Sequence, residues 1–166
     1  MRQLILIRHA KAEDGSNDRQ RALTKRGLAD AAAAGQLLAR AGSRPQLAVV
    51  SPAVRARQTW DRVQAGLPEP VELVVDEDIY RNRVDLLFEL VQRLPAELRC
   101  VALVGHNPAM AEFGYLLDDG AGDPAARAEL LAGYPTSAVA TFELAAEWDQ
   151  LLAGSASLRG FAVGRG

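Results

Sequence analysis

The stretch LILIRHAKAE, residues 4–13, runs from Leu4, Ile5, Leu6 and Ile7 straight into Arg8 and His9. A short apolar run without helical period reads as a strand. The lack of polar alternation says that both its faces are covered, as in a parallel sheet flanked by helices. Such a strand, ending on Arg8 and His9, carries a permanent cation and a titratable ring at its carboxyl end. In open α/β sheets that end borders the crevice where ligands bind.

Two further segments follow the same plan. LAVVSPAVRARQT, residues 47–59, leads from an apolar run to Ser51, Pro52 and Arg55, and VALVGHNP, residues 101–108, leads to His106. Strands are expected over Gln3–Ile7, Leu47–Val50, Val71–Val75, Cys100–Val104 and Val139–Leu144, with an edge strand near Leu158–Val163 and a frayed tail beyond it. The clearest helical pattern runs from Lys25 to Ala41. Leu28, Ala31, Ala32, Gly35, Leu38 and Ala39 share one face there, with Thr24 as N-cap, and the small residues let the helix lie close on the sheet. Ser51 with Pro52, and Asn107 with Pro108, read as helix starts. Residues 118–137 break the rhythm with Gly, Pro and Asp, and read as a loop holding a short helix over Pro124–Leu131 that helps wall a pocket. Alternating strands and helices predict a single α/β domain over residues 1–166: a three-layer α/β/α sandwich with a mostly parallel central sheet.

Composition narrows the function classes. A formal net charge of −2 and a pI near 5.7 leave no broad basic field for a nucleic-acid backbone. The single cysteine, Cys100, permits no internal disulfide and reads as a small filler in a buried strand. No apolar stretch has the length of a signal-peptide core or a membrane span, so a soluble cytoplasmic protein without a membrane partner is expected.

The residues at the strand ends suit one kind of ligand. Two guanidiniums, Arg8 and Arg55, present planar forks of donors that match phosphate oxygens. Helix N-termini after Ser51 and Asn107 add backbone N–H groups and the positive end of a dipole. A histidine among those arginines has its cationic form disfavoured and stays a neutral nucleophile. His9 and His106 are the only histidines in the chain, and each directly follows an apolar strand or its closing glycine. A catalytic zinc takes three protein ligands, and neither histidine has a second ligand at helical spacing, so no metal is expected. Gln58 and Thr59, on the Arg55 face, are placed to orient its guanidinium, whereas Arg57 points away. Trp60 and Trp148 read as anchors of the core or surface.

With these residues in hand, the sequence resembles the histidine phosphatase superfamily, with its phosphoglycerate mutase-like fold, and within it the short SixA-type phosphohistidine phosphatases. LILIRHA at 4–10, ALTKRG at 22–27, VVSPAVRARQT at 49–59, LVGHNP at 103–108 and YPTSAVATFEL at 134–144 carry the resemblance in this order. It implies that His9 takes the phosphoryl group, that Arg8 and Arg55 bind its oxygens, and that His106 completes the pocket. No cofactor is implied. A phosphohistidine-bearing protein is the implied substrate, with the mixed-charge face Arg19–Arg26 available to contact it. The alternatives are a small phosphate monoester as substrate, or a phosphate-binding module without turnover.

The chain departs from the family pattern twice. Arg-His-Gly reads Arg-His-Ala at Ala10, a change expected to be tolerated unless the backbone there needs glycine. Larger members also supply a carboxylate acid from an insertion after the third strand, and this chain has no room for one. Glu77, Asp78 and Asp85 are the nearest candidates in sequence.

Overall fold

The computed structural model describes residues 1–166 and holds one six-stranded sheet. Its strands are β1 (Arg2–Arg8), β2 (Leu47–Val50), β3 (Glu72–Val75), β4 (Cys100–Gly105), β5 (Ala138–Leu144) and β6 (Ser157–Val163). Their order across the sheet is β3-β2-β4-β1-β5-β6. The first four in that order run parallel, while β5 is antiparallel to β1 and to β6. This is the three-layer, mostly parallel architecture that the alternation of strands and helices predicted.

The side-chain alternation of β1 explains its continuous apolar character. Leu4 and Leu6 belong to one core, and Ile5 and Ile7 to the other. The first core packs against α3 (Glu77–Tyr80), α4 (Val84–Gln92), α5 (Ala109–Leu117) and α6 (Pro124–Ala132). The second packs against α1 (Lys25–Arg40) and α2 (Val54–Ala65), where Trp60 is buried. Trp148 is buried in the first.

Helix α1 begins as expected, with Thr24 Oγ1 accepting from the Gly27 N–H. Its small-residue stripe has a different partner from the one expected: Gly35 faces α2, where a Cβ would collide with the Val63 carbonyl. The stripe therefore lets two helices cross closely above the sheet.

Both expected caps of the site helices are corrected. Ser51 does not cap α2, which starts at Val54 with Ala53 at the cap position and no side-chain cap bond. Asn107 does not cap α5, which starts at Ala109 after Pro108. Both side chains are turned towards the site instead. Strand β3 lies at the sheet edge, which leaves Leu73, Val74 and Val75 exposed. The tail is held rather than frayed: Gly164 N–H donates to the Ser137 carbonyl, and Arg165 and the Gly166 N–H both reach the buried Asp30 carboxylate. No helix is long and apolar enough to cross a membrane.

Candidate active site

The carboxyl ends of β1, β2 and β4 meet because their registers align: Arg8 lies opposite Gly105, and Val50 opposite Val104. The ladder continues past the strands, with His9 N–H donating to the Gly105 carbonyl and Ser51 N–H to the Val104 carbonyl. Arg8, His9, Arg55 and His106 consequently line one cavity of about 360 Å³, together with Asp18, Arg21, Tyr80, Asn82 and Asn107. A larger groove of about 490 Å³ between Tyr134 and Phe161 is lined mostly by apolar groups, with Glu129 its only ionisable side chain apart from the Tyr134 phenol. The phenol itself is buried and donates to the Leu6 carbonyl, so the groove offers nothing comparable.

The RHA turn is pinned to α2. Ala10 N–H donates to Thr59 Oγ1 at 2.9 Å, and that hydroxyl donates to the Arg55 carbonyl at 2.7 Å. Thr59 therefore ties the His9 turn to the Arg55 turn of the helix, rather than touching the guanidinium as expected. Gln58 likewise leaves the guanidinium alone and accepts from Leu23 N–H at 2.7 Å. Arg57 is exposed, as its helical position implied. Ala10 is not among the residues with positive φ, so the position makes no demand for glycine.

The His9 and His106 ring centroids lie 5.2 Å apart. His9 Nδ1 is 2.7 Å from the Ala10 carbonyl, which can only accept, so Nδ1 carries the proton and Nε2 keeps its lone pair. Burial lowers the His9 pKa to about 4, with Arg55 and Arg8 adding to the shift and the Ala10 hydrogen bond opposing it. Burial, then His9 and Arg55, lowers His106 to about 3. Both rings are neutral at pH 7, and desolvation outweighs the arginines that the sequence pointed to. His106 Nε2 lies 2.7 Å from Ser51 Oγ.

Each arginine donates to a backbone carbonyl, Arg8 to that of Tyr134 and Arg55 to that of Asp18. Arg8 Nη1 donates to the Tyr134 carbonyl at 3.1 Å, which also accepts from Asn107 Nδ2 at 2.9 Å; the segment after α6 therefore braces two lining residues, although, contrary to expectation, no residue of 118–137 lines the cavity itself. Asn82, at a φ of 60°, bridges from the other side: its Oδ1 accepts from Ala109 N–H at 3.0 Å and its Nδ2 donates to the Asn107 carbonyl at 2.6 Å. The start of α5 is thus capped by a residue 27 positions away.

None of the three carboxylates expected from sequence lines the cavity. Glu77 is paired with Arg19 through two hydrogen bonds, Asp78 faces Arg81 and Arg93, and Asp85 pairs with Arg83. The carboxylate that does line it is Asp18, from the one-turn helix Asp18–Gln20. Asp18 Oδ2 accepts from Tyr80 OH at 2.6 Å and from Arg55 Nη2 at 3.1 Å, and Oδ1 accepts from Arg21 Nη1 at 3.0 Å. These bonds, that of Tyr80 foremost, hold the carboxyl far below the usual carboxylate range. Arg19 lies 4.2 Å from the centre of the Tyr80 ring, so the 18–21 segment is fastened to α3 across the mouth of the cavity. Sequence reasoning offered the neighbouring stretch Arg19–Arg26 as a partner-contact face or a solvated loop, and did not single out Asp18. Apart from Arg21 three positions on, the partners that place Asp18 in the cavity, Arg55 and Tyr80, are 37 and 62 positions away, so no local pattern marks it.

The six-stranded α/β sheet thus gathers Arg8, His9 and His106 at the ends of its parallel strands, with Arg55 added from the first turn of α2. The histidine phosphatase superfamily (branch 1) model matches residues 4–81. An uncharacterized protein of Mycobacterium tuberculosis is 32% identical over 162 residues, which span 96% of this chain and all of that one. The chain belongs to the histidine phosphatase superfamily. Among solved structures it is similar to the SixA protein of Nakamurella multipartitia, at 30% identity and a TM-score of 0.83 over 98% of this chain and 96% of that one. The SixA protein of Agrobacterium tumefaciens is similar at 29% identity and a TM-score of 0.78, over 98% of each chain.

Proposed function

We propose that the chain is a phosphatase that removes the phosphoryl group from phosphohistidine on a protein, with His9 as nucleophile. His9 Nε2 attacks phosphorus in line while the bond from phosphorus to the substrate imidazole breaks. Arg8 and Arg55 hold the equatorial oxygens with planar forks, and His106 adds a donor. Water then attacks the phosphorylated His9, forming a P–O bond as the P–Nε2 bond breaks, and inorganic phosphate leaves. Neither step calls for a metal or an organic cofactor.

The observation that carries the choice of substrate is the state of Asp18. It is the carboxylate in the cavity, and Tyr80, Arg21 and Arg55 keep it ionised, so it has no proton to give at neutral pH. An alkoxide leaving group needs that proton, and losing acid catalysis costs about 10²-fold or more. The imidazole of phosphohistidine takes its proton from solvent while still bonded to phosphorus, and the resulting cation is attracted by ionised Asp18. The similarity to the SixA proteins supports the same reading.

Phosphate release measured side by side from a phosphohistidine-bearing protein and from a panel of phosphate monoesters tests the proposal, with His9→Ala as blank. Release from phosphohistidine that depends on His9 and exceeds release from every monoester is the expected result. Faster turnover of a monoester overturns the choice of substrate. Phosphate binding without turnover of any substrate overturns the enzymatic reading.

A further inference from the structure

We infer that Ser51 is a positioning residue that fixes His106 in the tautomer with its proton on Nδ1, leaving that N–H as the donor for a phosphoryl oxygen. The inference rests on the phosphoryl-binding reading of the cavity, not on the choice of phosphohistidine as substrate.

The hydrogen bonds around Ser51 allow one arrangement that satisfies them all. Ser51 has no solvent exposure. Its Oγ accepts from the Ala53 N–H at 3.3 Å, and its other neighbour is His106 Nε2 at 2.7 Å. If Nε2 were the protonated nitrogen, Oγ would accept twice and the hydroxyl proton would be stranded in a dry site, at a cost typical of an unmade buried hydrogen bond. With the hydroxyl donating to Nε2, the Ala53 N–H, the Ser51 O–H and Nε2 are each paired. The proton of the neutral ring then sits on Nδ1.

His106 Nδ1 is buried and has no partner in the protein. His106 is 5% exposed and lines the cavity that holds His9 and both arginines. An N–H on that buried nitrogen has no acceptor within the protein, and an oxygen of a phosphoryl group held by the cavity's arginines is the acceptor that would satisfy it. The opposite tautomer would present a lone pair to the phosphoryl group and repel it. Donating to His106 leaves an Oγ lone pair for the Ala53 N–H just ahead of α2, so one hydroxyl serves both neighbours.

The chain has only two histidines, so both imidazoles can be read by nitrogen NMR of the intact protein, with His106→Ala assigning the signals. The expected result is Nδ1–H for His106 and a shift of its Nδ1 signal on adding inorganic phosphate. In Ser51→Ala the His106 signals should move to Nε2–H or to an average, while those of His9 stay in place. The kcat should fall about 10- to 100-fold, by analogy with groups that orient metal-bound histidines. Ser51→Cys keeps a weak donor of similar shape and should fall between the two. An Nε2–H tautomer in the parent protein overturns the inference whatever the variants do. So does a Ser51→Ala protein with the parental tautomer and kcat. If phosphohistidine is not turned over but phosphate still shifts the Nδ1 signal, the substrate proposal fails and this inference stands.

Discussion

The Arg55 guanidinium is engaged by Asp18: Nη1 donates to the Asp18 carbonyl at 2.7 Å and Nη2 to Oδ2 at 3.1 Å. Asp18 thus stands in for an anion on the fork proposed to bind phosphate. Incoming phosphate must share or displace that contact, and it meets a negative charge on arrival.

Asp18→Asn removes the charge and keeps both an amide oxygen and the backbone carbonyl as acceptors. Inhibition by inorganic phosphate should tighten by about three- to tenfold, a modest figure because the carboxylate is half exposed and screened. Preference for phosphohistidine over monoesters should fall at the same time. An unchanged inhibition constant would show that Asp18 and phosphate do not meet.

The pH dependence follows from burial of the two histidines. Protonated His9 has no lone pair for phosphorus, and its pKa in the free enzyme is about 4, so the acid limb of kcat/KM should lie near pH 4 rather than at the ordinary histidine value near 6.5. Stability moves in the same window. The unfolded chain binds protons on both histidines between about pH 6.5 and 4 while the folded one does not, so stability should fall as pH falls through that range. Thermal melts of the parent and of His9→Ala should diverge there, with the variant less sensitive to acid. Asp18, whose folded pKa is depressed, loses its contribution only at lower pH.

Thr59→Val keeps the shape of the side chain and deletes both the bond that links the His9 turn to α2 and the hydroxyl's bond to the Arg55 carbonyl within the helix. The Ala10 N–H, which donates to Thr59 Oγ1, is left without its acceptor, and a buried unpaired group of this kind costs about 1–3 kcal/mol. Urea unfolding should show that loss. The kcat should fall further than stability alone explains, because His9 and Arg55 are no longer held in common register. A stable variant with parental kcat would assign Thr59 to packing only.

Gly35→Ala tests the crossing of the two helices above the sheet. The added methyl meets the Val63 carbonyl, and overpacking of this kind costs about 1–3 kcal/mol. A lower urea midpoint with an unchanged KM is expected, since Gly35 lies outside the cavity.

The sheet was legible because buried parallel strands are continuous apolar runs, and LILI, LAVV and VALV announce themselves without reference to anything distant. Arg8, His9, Arg55 and His106 were legible for the same reason: each sits at, or a few positions beyond, the end of one of those runs, and parallel topology brings such ends together. The caps misled because Ser51 and Asn107 have the right chemistry for a helix start, and a local reading assigns such residues to the nearest backbone. The fold gives one to His106 and the other to the Tyr134 carbonyl, while Asn82 caps α5 from a distant segment. Asp18 was invisible for a related reason. A carboxylate in a polar loop has no local pattern, and its meaning comes from Arg55 and Tyr80, which only chain closure places beside it. By itself the sequence determined which strands form and which side chains stand at their ends, since those depend on near neighbours and on burial. The tertiary structure decided which polar groups those side chains bond to, since hydrogen bonds are directional and satisfied over a few ångströms whatever the separation along the chain.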